Sequence, residues 1–140
     1  MNKVLITPLG TSPGVVYTAL KSTNPDTCII VTSEKGAEKI NEIAEKSDFN
    51  LEKIKIIIFN NPFYGFEEIE EKVKEIIPYL NDAEEIYFNL SGGTSFLQYV
   101  IGKIKESVNV KNKSFFAVDK RDVIQQKENP YVLGEWIEVN

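Results

Sequence analysis

The sequence predicts an α/β protein with a doubly wound, mostly parallel sheet and an antiparallel edge strand at its C-terminal end. Short runs that are apolar throughout alternate with amphipathic segments of about 10 to 15 residues, a pattern typical of strands and crossover helices. Strands become apolar on both sides when helices cover both faces of a parallel sheet. With 140 residues, the chain can form one domain with its own core, which we place at residues 1–140.

The individual elements follow from this pattern in order. The runs predicted as buried strands are residues 3–7, 28–33, 54–59, 85–90 and 114–119. A helix follows each of the first four, and the first helix begins at Pro13, because proline suits the first helical position. The predicted core faces comprise Ala37, Ile40, Ile43 and Ala44 in the second helix and Phe66, Ile69, Val73, Ile76 and Ile77 in the third. Residues 131–139 are predicted as a further strand, and the turn-like "ENP" before them permits an antiparallel return.

Composition and charge restrict the classes of function. The net charge of −5 argues against general binding to DNA or RNA, which depends on a basic face. The chain has no histidine, so Ser-His and Cys-His catalytic pairs are excluded. Cys28 is the only cysteine, which leaves no disulfide framework and fits a reducing cytosol. The apolar runs are too short for a signal peptide or a membrane span, so we expect a cytoplasmic protein with no membrane partner.

Two loops rich in glycine and hydroxyl side chains form the candidate site. They are "LGTSPG" at residues 9–14 and "NLSGGTS" at residues 89–95. In a doubly wound sheet of order 3-2-1-4-5, these loops follow neighbouring strands and face each other across the crevice at the switch point. Helix N-terminal N–H groups, glycines and hydroxyls are suited to phosphate. The predicted ligand-binding residues are Leu9, Gly10, Thr11, Ser12, Gly14, Asn89, Ser91, Gly92, Gly93, Thr94 and Ser95.

Other interpretations of these loops stay open. Serine, threonine and glycine are also ordinary residues of helix caps and turns. The sequence contains neither a G-x-x-x-x-G-K-[ST] loop nor a full G-x-G-x-x-G. Glu34, at the end of the second strand, could imitate the ribose-binding acid of a dinucleotide fold, although the glycine fingerprint of such a fold is missing.

Three segments carry a resemblance to a known family. "TPLGTSPGVVYTAL", "VTSEKGAEKINEI" and "NLSGGTSFLQYVI" resemble the CRISPR-associated Rossmann fold (CARF) domain, over essentially the whole chain. The resemblance implies a Rossmann-like fold and a homodimeric receptor for cyclic oligoadenylate, the ring-shaped RNA messenger that type III CRISPR complexes make. An even-membered ring of identical nucleotides has a two-fold axis, so a two-fold dimer can bind it with the same patch of each subunit.

Stand-alone members resembling this chain include ring nucleases, which cut cyclic tetra-adenylate and end the signal. The resemblance implies attack of a ribose 2′-OH on the adjacent phosphorus, without metal or cofactor, to give linear products ending in 2′,3′-cyclic phosphate. Ser12 matches the loop serine implicated in such enzymes, and Thr11 and Ser12 could donate hydrogen bonds to the charged phosphorane. Two alternatives are a CARF sensor that binds the ring without cutting it, as part of or partner to an effector, and a Rossmann-like protein for an unrelated nucleotide.

One departure from the family concerns positive charge. Many CARF domains have a basic residue directly after the second Gly-Gly-Thr, where this chain has Ser95. Lys120 and Arg121, just past the fifth strand, are the predicted substitutes, with Lys120 as a catalytic and Arg121 as a ligand-binding candidate; the alternative is a solvated charged turn. Phe63 and Tyr64 could stack on an adenine, or they could pack onto the third helix.

Overall fold

The computed structural model describes residues 2–139, so the first and last residues of the predicted domain lie outside it. Its strands are β1 (Lys3–Leu9), β2 (Thr27–Ser33), β3 (Ile54–Phe59), β4 (Glu85–Asn89), β5 (Asn112–Val118) and β6 (Glu135–Val139). They form one six-stranded sheet in the order β3-β2-β1-β4-β5-β6. All neighbouring strands are parallel except β5 and β6, which are antiparallel. The predicted fold class and the antiparallel edge strand are therefore confirmed.

Helices cover both faces of the sheet. They are α1 (Pro13–Thr23), α2 (Glu34–Ala37), α3 (Ile40–Ser47), α4 (Ile69–Ile76), α5 (Ser95–Glu106) and α6 (Val123–Glu128), with 3-10 turns at Leu51–Lys53, Phe66–Glu68 and Ile77–Leu80. Because successive strand residues point to opposite faces, β1 contributes Leu5 to the core under α1 and α3 and Val4 and Ile6 to the core under α4 and α5. This burial on both faces explains the continuous apolar runs.

Two of the predicted helices are shorter than the sequence indicates. The second is interrupted, because α2 lies on the end of β2 while α3 packs against α1. Gly36 in α2 is so close to the sheet that a Cβ there would be 2.1 Å from the Thr32 Oγ1. The third is an α-helix only over α4, and its last turn is a 3-10 turn because Pro78 cannot donate the hydrogen bond that an α-helix requires.

The segment between β5 and β6 differs most from the prediction. Helix α6 was not predicted, because Val123 and Ile124 are exposed and give the segment no apolar stripe; the Asp122 side chain caps it by accepting a hydrogen bond from the Gln125 N–H at 2.9 Å. Strand β6 begins only at Glu135. The four residues before it fold over α1, where the Gly134 N–H donates to the Thr18 Oγ1 at 3.0 Å.

Candidate functional site

The two glycine-rich loops lie against each other at the carboxyl ends of β1 and β4. A Cβ built on Gly10 would be 3.0 Å from the Gly93 Cα, and one built on Gly92 would be 2.7 Å from the Val15 Cγ2. β1 and β4 are neighbours in the sheet, and the strand order reverses there. The structure thus brings residues 9–14 and 89–95 together at the switch point, where ligands of open α/β sheets bind.

Asn89 holds this corner together from the inside. Its side chain is fully buried, and its Nδ2 donates to the Thr7 Oγ1 at 3.0 Å and to the Val15 carbonyl at 3.3 Å. Its Oδ1 accepts a hydrogen bond from the Ser91 N–H at 3.0 Å. The side-chain amide of Asn89 therefore links β1, α1 and the second loop, and both its nitrogen and its oxygen are hydrogen-bonded to groups of the protein.

The hydroxyls and glycines of the second loop shape the backbone. Gly92 and Gly93 have φ angles of 82° and 73°, in the left-handed region that favours glycine. The Ser91 Oγ accepts a hydrogen bond from the Ala117 N–H at 2.8 Å. The Thr94 Oγ1 donates to the Pro62 carbonyl and, as the N-cap of α5, accepts from the Leu97 N–H at 3.1 Å. These contacts fix the loop, whereas the Ser95 side chain is exposed.

The first loop keeps its hydroxyl groups exposed. Ser12 is the N-cap residue of α1, yet its side chain makes no capping hydrogen bond, and Thr11 beside it is exposed as well. Because the first N–H groups of a helix have no intrahelical partner, those of Ser12, Gly14 and Val15 are available as donors, while Pro13 has none. Leu9 is fully buried at the end of β1, so its side chain lies in the core.

A cavity of about 340 Å³ opens directly beside the first loop. Its walls are the first turn of α1, the start of α3, the end of β5 and α6 with the residues that follow it. The residues lining it include Thr11, Ser12, Gly14, Lys39, Glu42 and Tyr131. This volume lies within the range of small-molecule sites. Because Thr11 and Ser12 line it, the cavity is continuous with the predicted anion-binding loop.

Tyr131 forms the far side of this cavity. Its ring packs edge-on against Tyr17 with centroids 5.7 Å apart, and its hydroxyl is buried without a hydrogen-bond partner among the described residues. Burial, together with the nearby Glu42 carboxylate, raises the pKa of Tyr131 to about 12.

The two predicted basic residues are bound to acidic partners. Arg121 donates to the Asp119 carboxylate at 2.8 Å and 3.1 Å and to the Asn129 carbonyl at 2.9 Å, and this pairing lowers the pKa of Asp119. The Lys120 Nζ lies 3.0 Å from a Glu135 carboxylate oxygen. Both line a separate cavity between the end of β5 and the start of β6. Each side chain thus has a structural partner of its own.

Lys39 is a cation that the structure brings into direct contact with the first loop. It precedes α3, is half-buried, and its Nζ donates to the Thr11 carbonyl at 2.8 Å. The sequence-based site did not include it. The available signal was the strand order, which places the segment after β2 beside the loop after β1, but Lys35, Lys39 and Lys46 could not be told apart by pattern.

The two predicted stacking residues lie beyond the second loop. Phe63 and Tyr64 are both exposed, and their N–H groups donate to the Asn61 Oδ1 at 3.0 Å each. Instead, Phe66 packs edge-on against Phe96 of α5 with centroids 5.1 Å apart. The structure therefore leaves the rings of Phe63 and Tyr64 uncovered near the Pro62 contact with Thr94.

Comparison with known proteins shows similarity at the level of the fold. No family profile matches this sequence, and no curated protein sequence matches it. The structure is similar to Can2 from Sulfobacillus thermosulfidooxidans in complex with cyclic tetra-adenylate, with a TM-score of 0.66 and 10% identity over 84% of this chain and 32% of that chain. It is also similar to Enterococcus italicus Csm6 bound to cyclic hexa-2′-fluoro-hexa-dAMP, with a TM-score of 0.69 and 12% identity over 99% of this chain and 42% of that chain.

These similarities show the fold of the chain. It is a Rossmann-like α/β protein with the fold of the CARF domain, as both compared proteins are CARF-domain proteins. The fold implied by the resemblance is therefore confirmed. The chain spans less than half the length of either protein. Within residues 2–139, no helix is both long and apolar enough to cross a membrane.

Proposed function

We propose that this chain binds a cyclic oligoadenylate, cyclic tetra-adenylate in preference, between the two subunits of a homodimer in the cytoplasm. The observation that carries the proposal is the contact of the loop after β1 with the loop after β4, at the switch point of a fold shared with proteins bound to such rings. The first loop offers the exposed hydroxyls of Thr11 and Ser12 together with the N–H groups of the first turn of α1.

Phosphate recognition of this kind suits an acidic protein. The net charge of −5 opposes the binding of anions, so a phosphate can bind only where the protein provides local hydrogen-bond donors. Backbone N–H groups provide such donors without adding charge, and Gly10 and Gly93 leave no side chain between the two loops. Two copies of this corner, related by a two-fold axis, would present the same donors to opposite phosphates of a ring.

We further propose that the bound ring is cleaved, as in a ring nuclease of type III CRISPR defence. The 2′ oxygen of one ribose attacks the adjacent phosphorus and loses its proton, and the bond from phosphorus to the 5′ oxygen breaks. The 5′ oxygen gains a proton, which leaves a 2′,3′-cyclic phosphate on one end and a 5′-hydroxyl on the other. Ser12 and Thr11 donate hydrogen bonds to the phosphorane, and the loops hold the three reacting atoms in line.

The alternative is a sensor that binds the ring without cutting it. This alternative is favoured by the histidine-free sequence, which lacks the commonest general base, and by the greater length of the two compared proteins. Binding requires the same two loops in both cases. The two functions differ in the fate of the ring, and a Rossmann-like protein for an unrelated nucleotide would bind no ring at all.

Incubation with labelled cyclic tetra-adenylate and cyclic hexa-adenylate in EDTA distinguishes these functions. A ring nuclease gives linear products that Ser12→Ala abolishes or slows at least about tenfold, because one donor to the phosphorane is lost. Ser107→Ala is the matched control, since its hydroxyl bonds the Lys103 carbonyl at the other end of α5. Tight binding with an intact ring supports the sensor, and absence of binding to either ring refutes the proposal.

A further inference from the structure

Neither loop of the site contains a basic residue of its own. A ring phosphate on the first loop would meet hydroxyl and N–H donors, and Ser95 provides no charge on the second loop. Among the cations expected to supply it, Arg121 is held by Asp119 and the Asn129 carbonyl, and Lys120 by Glu135. If either side chain bound a phosphate, it would have to leave a partner that it contacts within the protein.

Lys39 is placed differently from both. Its Nζ is 2.8 Å from the Thr11 carbonyl, and it forms no ion pair with any carboxylate of residues 2–139. An ammonium group has three donors, so two remain after the bond to Thr11. The residue lines the same cavity as Thr11 and Ser12 and is half-buried, while its contact with the Thr11 carbonyl is exposed, so a ligand in the cavity can reach the two remaining donors.

We propose that Lys39 binds a phosphate of the ring at the first loop and supplies the positive charge that Ser95 in the second loop lacks. This inference rests on the proposed function, since it names the cation of the same site. The bond to Thr11 positions the ammonium beside the N-terminus of α1 before any ligand arrives, so little side-chain entropy is lost on binding. Lys127 lines the same cavity from α6, but it is exposed.

Charge-matched variants test the assignment. Lys39→Gln removes the charge but can still donate to the Thr11 carbonyl, whereas Lys39→Arg keeps the charge. Lys21→Gln, in the last turn of α1, and Lys74→Gln, in the last turn of α4, lower the net charge by the same amount at exposed positions outside the cavity. The dissociation constant of cyclic tetra-adenylate is measured for each protein over a range of salt concentrations.

We expect Lys39→Gln to bind about ten to a hundred times more weakly and to depend less on salt, because a charged contact to phosphate is lost. Lys39→Arg should recover most of the affinity, and the two control variants should stay within about twofold of the wild type. A merely structural role of Lys39 would lower the affinity without changing its salt dependence, and that result overturns the inference.

The outcomes separate the two proposals. If the wild type binds neither cyclic tetra-adenylate nor cyclic hexa-adenylate, the proposed function is wrong. If the wild type binds and Lys39→Gln matches it in affinity and salt dependence, only the assignment of Lys39 is overturned. If Lys120→Gln or Lys127→Gln, measured in the same way, flattens the salt dependence and Lys39→Gln does not, the cation lies elsewhere and the assignment is likewise overturned.

Discussion

Substitution of Gly93 by alanine should distort the wall of the site that the second loop forms. Gly93 has a φ of 73°, and a Cβ there would lie 2.9 Å from the Cβ of Pro8 and 3.4 Å from that of Leu97. Pro8 belongs to β1 and its ring cannot rotate away. The side chain would therefore meet both an unfavourable backbone conformation and a rigid neighbour.

The two costs can be estimated separately. A left-handed conformation costs an alanine about 1–2 kcal/mol, and a methyl group forced into a packed position costs about 1–3 kcal/mol. Together they predict a loss of about 2–5 kcal/mol in the free energy of unfolding. For a domain of this length, that loss corresponds to a fall of roughly 6–15 °C in Tm.

Thermal and urea unfolding of the variant, followed by circular dichroism, measure this loss. Gly102→Ala is the matched control, because Gly102 lies within α5 and a Cβ there meets, among the described residues, no atom within 4 Å beyond its chain neighbours and the backbone of its own helix. It should gain about 0.5–1 kcal/mol, since alanine favours the helix interior. If Gly93→Ala is as stable as the wild type, the steric reasoning is refuted.

Three further predictions concern groups around the sheet. The Tyr87 hydroxyl and the Lys111 ammonium lower the pKa of Glu85 in the folded protein. Between the folded and unfolded pKa values the unfolded chain binds a proton that the folded protein does not, so the protein loses stability as the pH falls through this range. Urea midpoints should therefore fall on acidification below about pH 4.5, and Glu85→Gln should lose part of that dependence; an unchanged acid profile contradicts this. Burial raises the pKa of the Cys28 thiol, so Ellman's reagent should react with it only in denaturant, and rapid labelling of the native protein would disprove its burial. Asn89→Ala should cost about 2–4 kcal/mol in urea unfolding, because it leaves the Val15 carbonyl and the Ser91 N–H without their partner, and a loss below about 1 kcal/mol would argue against that role.

The sheet was predictable because its strands are buried on both faces. The apolar run at residues 54–59 matches β3 in both bounds, and the strand order follows from the rules for parallel sheets. Helix α6 was not predictable in the same way, since Val123 and Ile124 are 63% and 69% exposed and the segment has no apolar periodicity. Its signal was the cap at Asp122, which pattern alone does not distinguish from a turn.

The position of the two loops was predictable, but the hydrogen bonding of their side chains was not. Strand order alone places Gly10 beside Gly93. Sequence could not reveal that Asn89 and Thr94 use their polar groups inside the protein while Ser12 does not, because all three are plausible capping residues. Nor could it reveal the Lys39 contact with Thr11, which depends on the break between α2 and α3.

Whether two copies of this corner bind one ring is decided by the stoichiometry of binding. Isothermal titration calorimetry of the full chain with cyclic tetra-adenylate, combined with the mass of the complex by light scattering, gives both the number of rings and the number of chains. We expect one ring for every two chains, and Ser12→Ala should lower the rate of any cleavage but keep that ratio. One ring bound per single chain, or absence of binding, would contradict the proposed binding of a ring between two subunits.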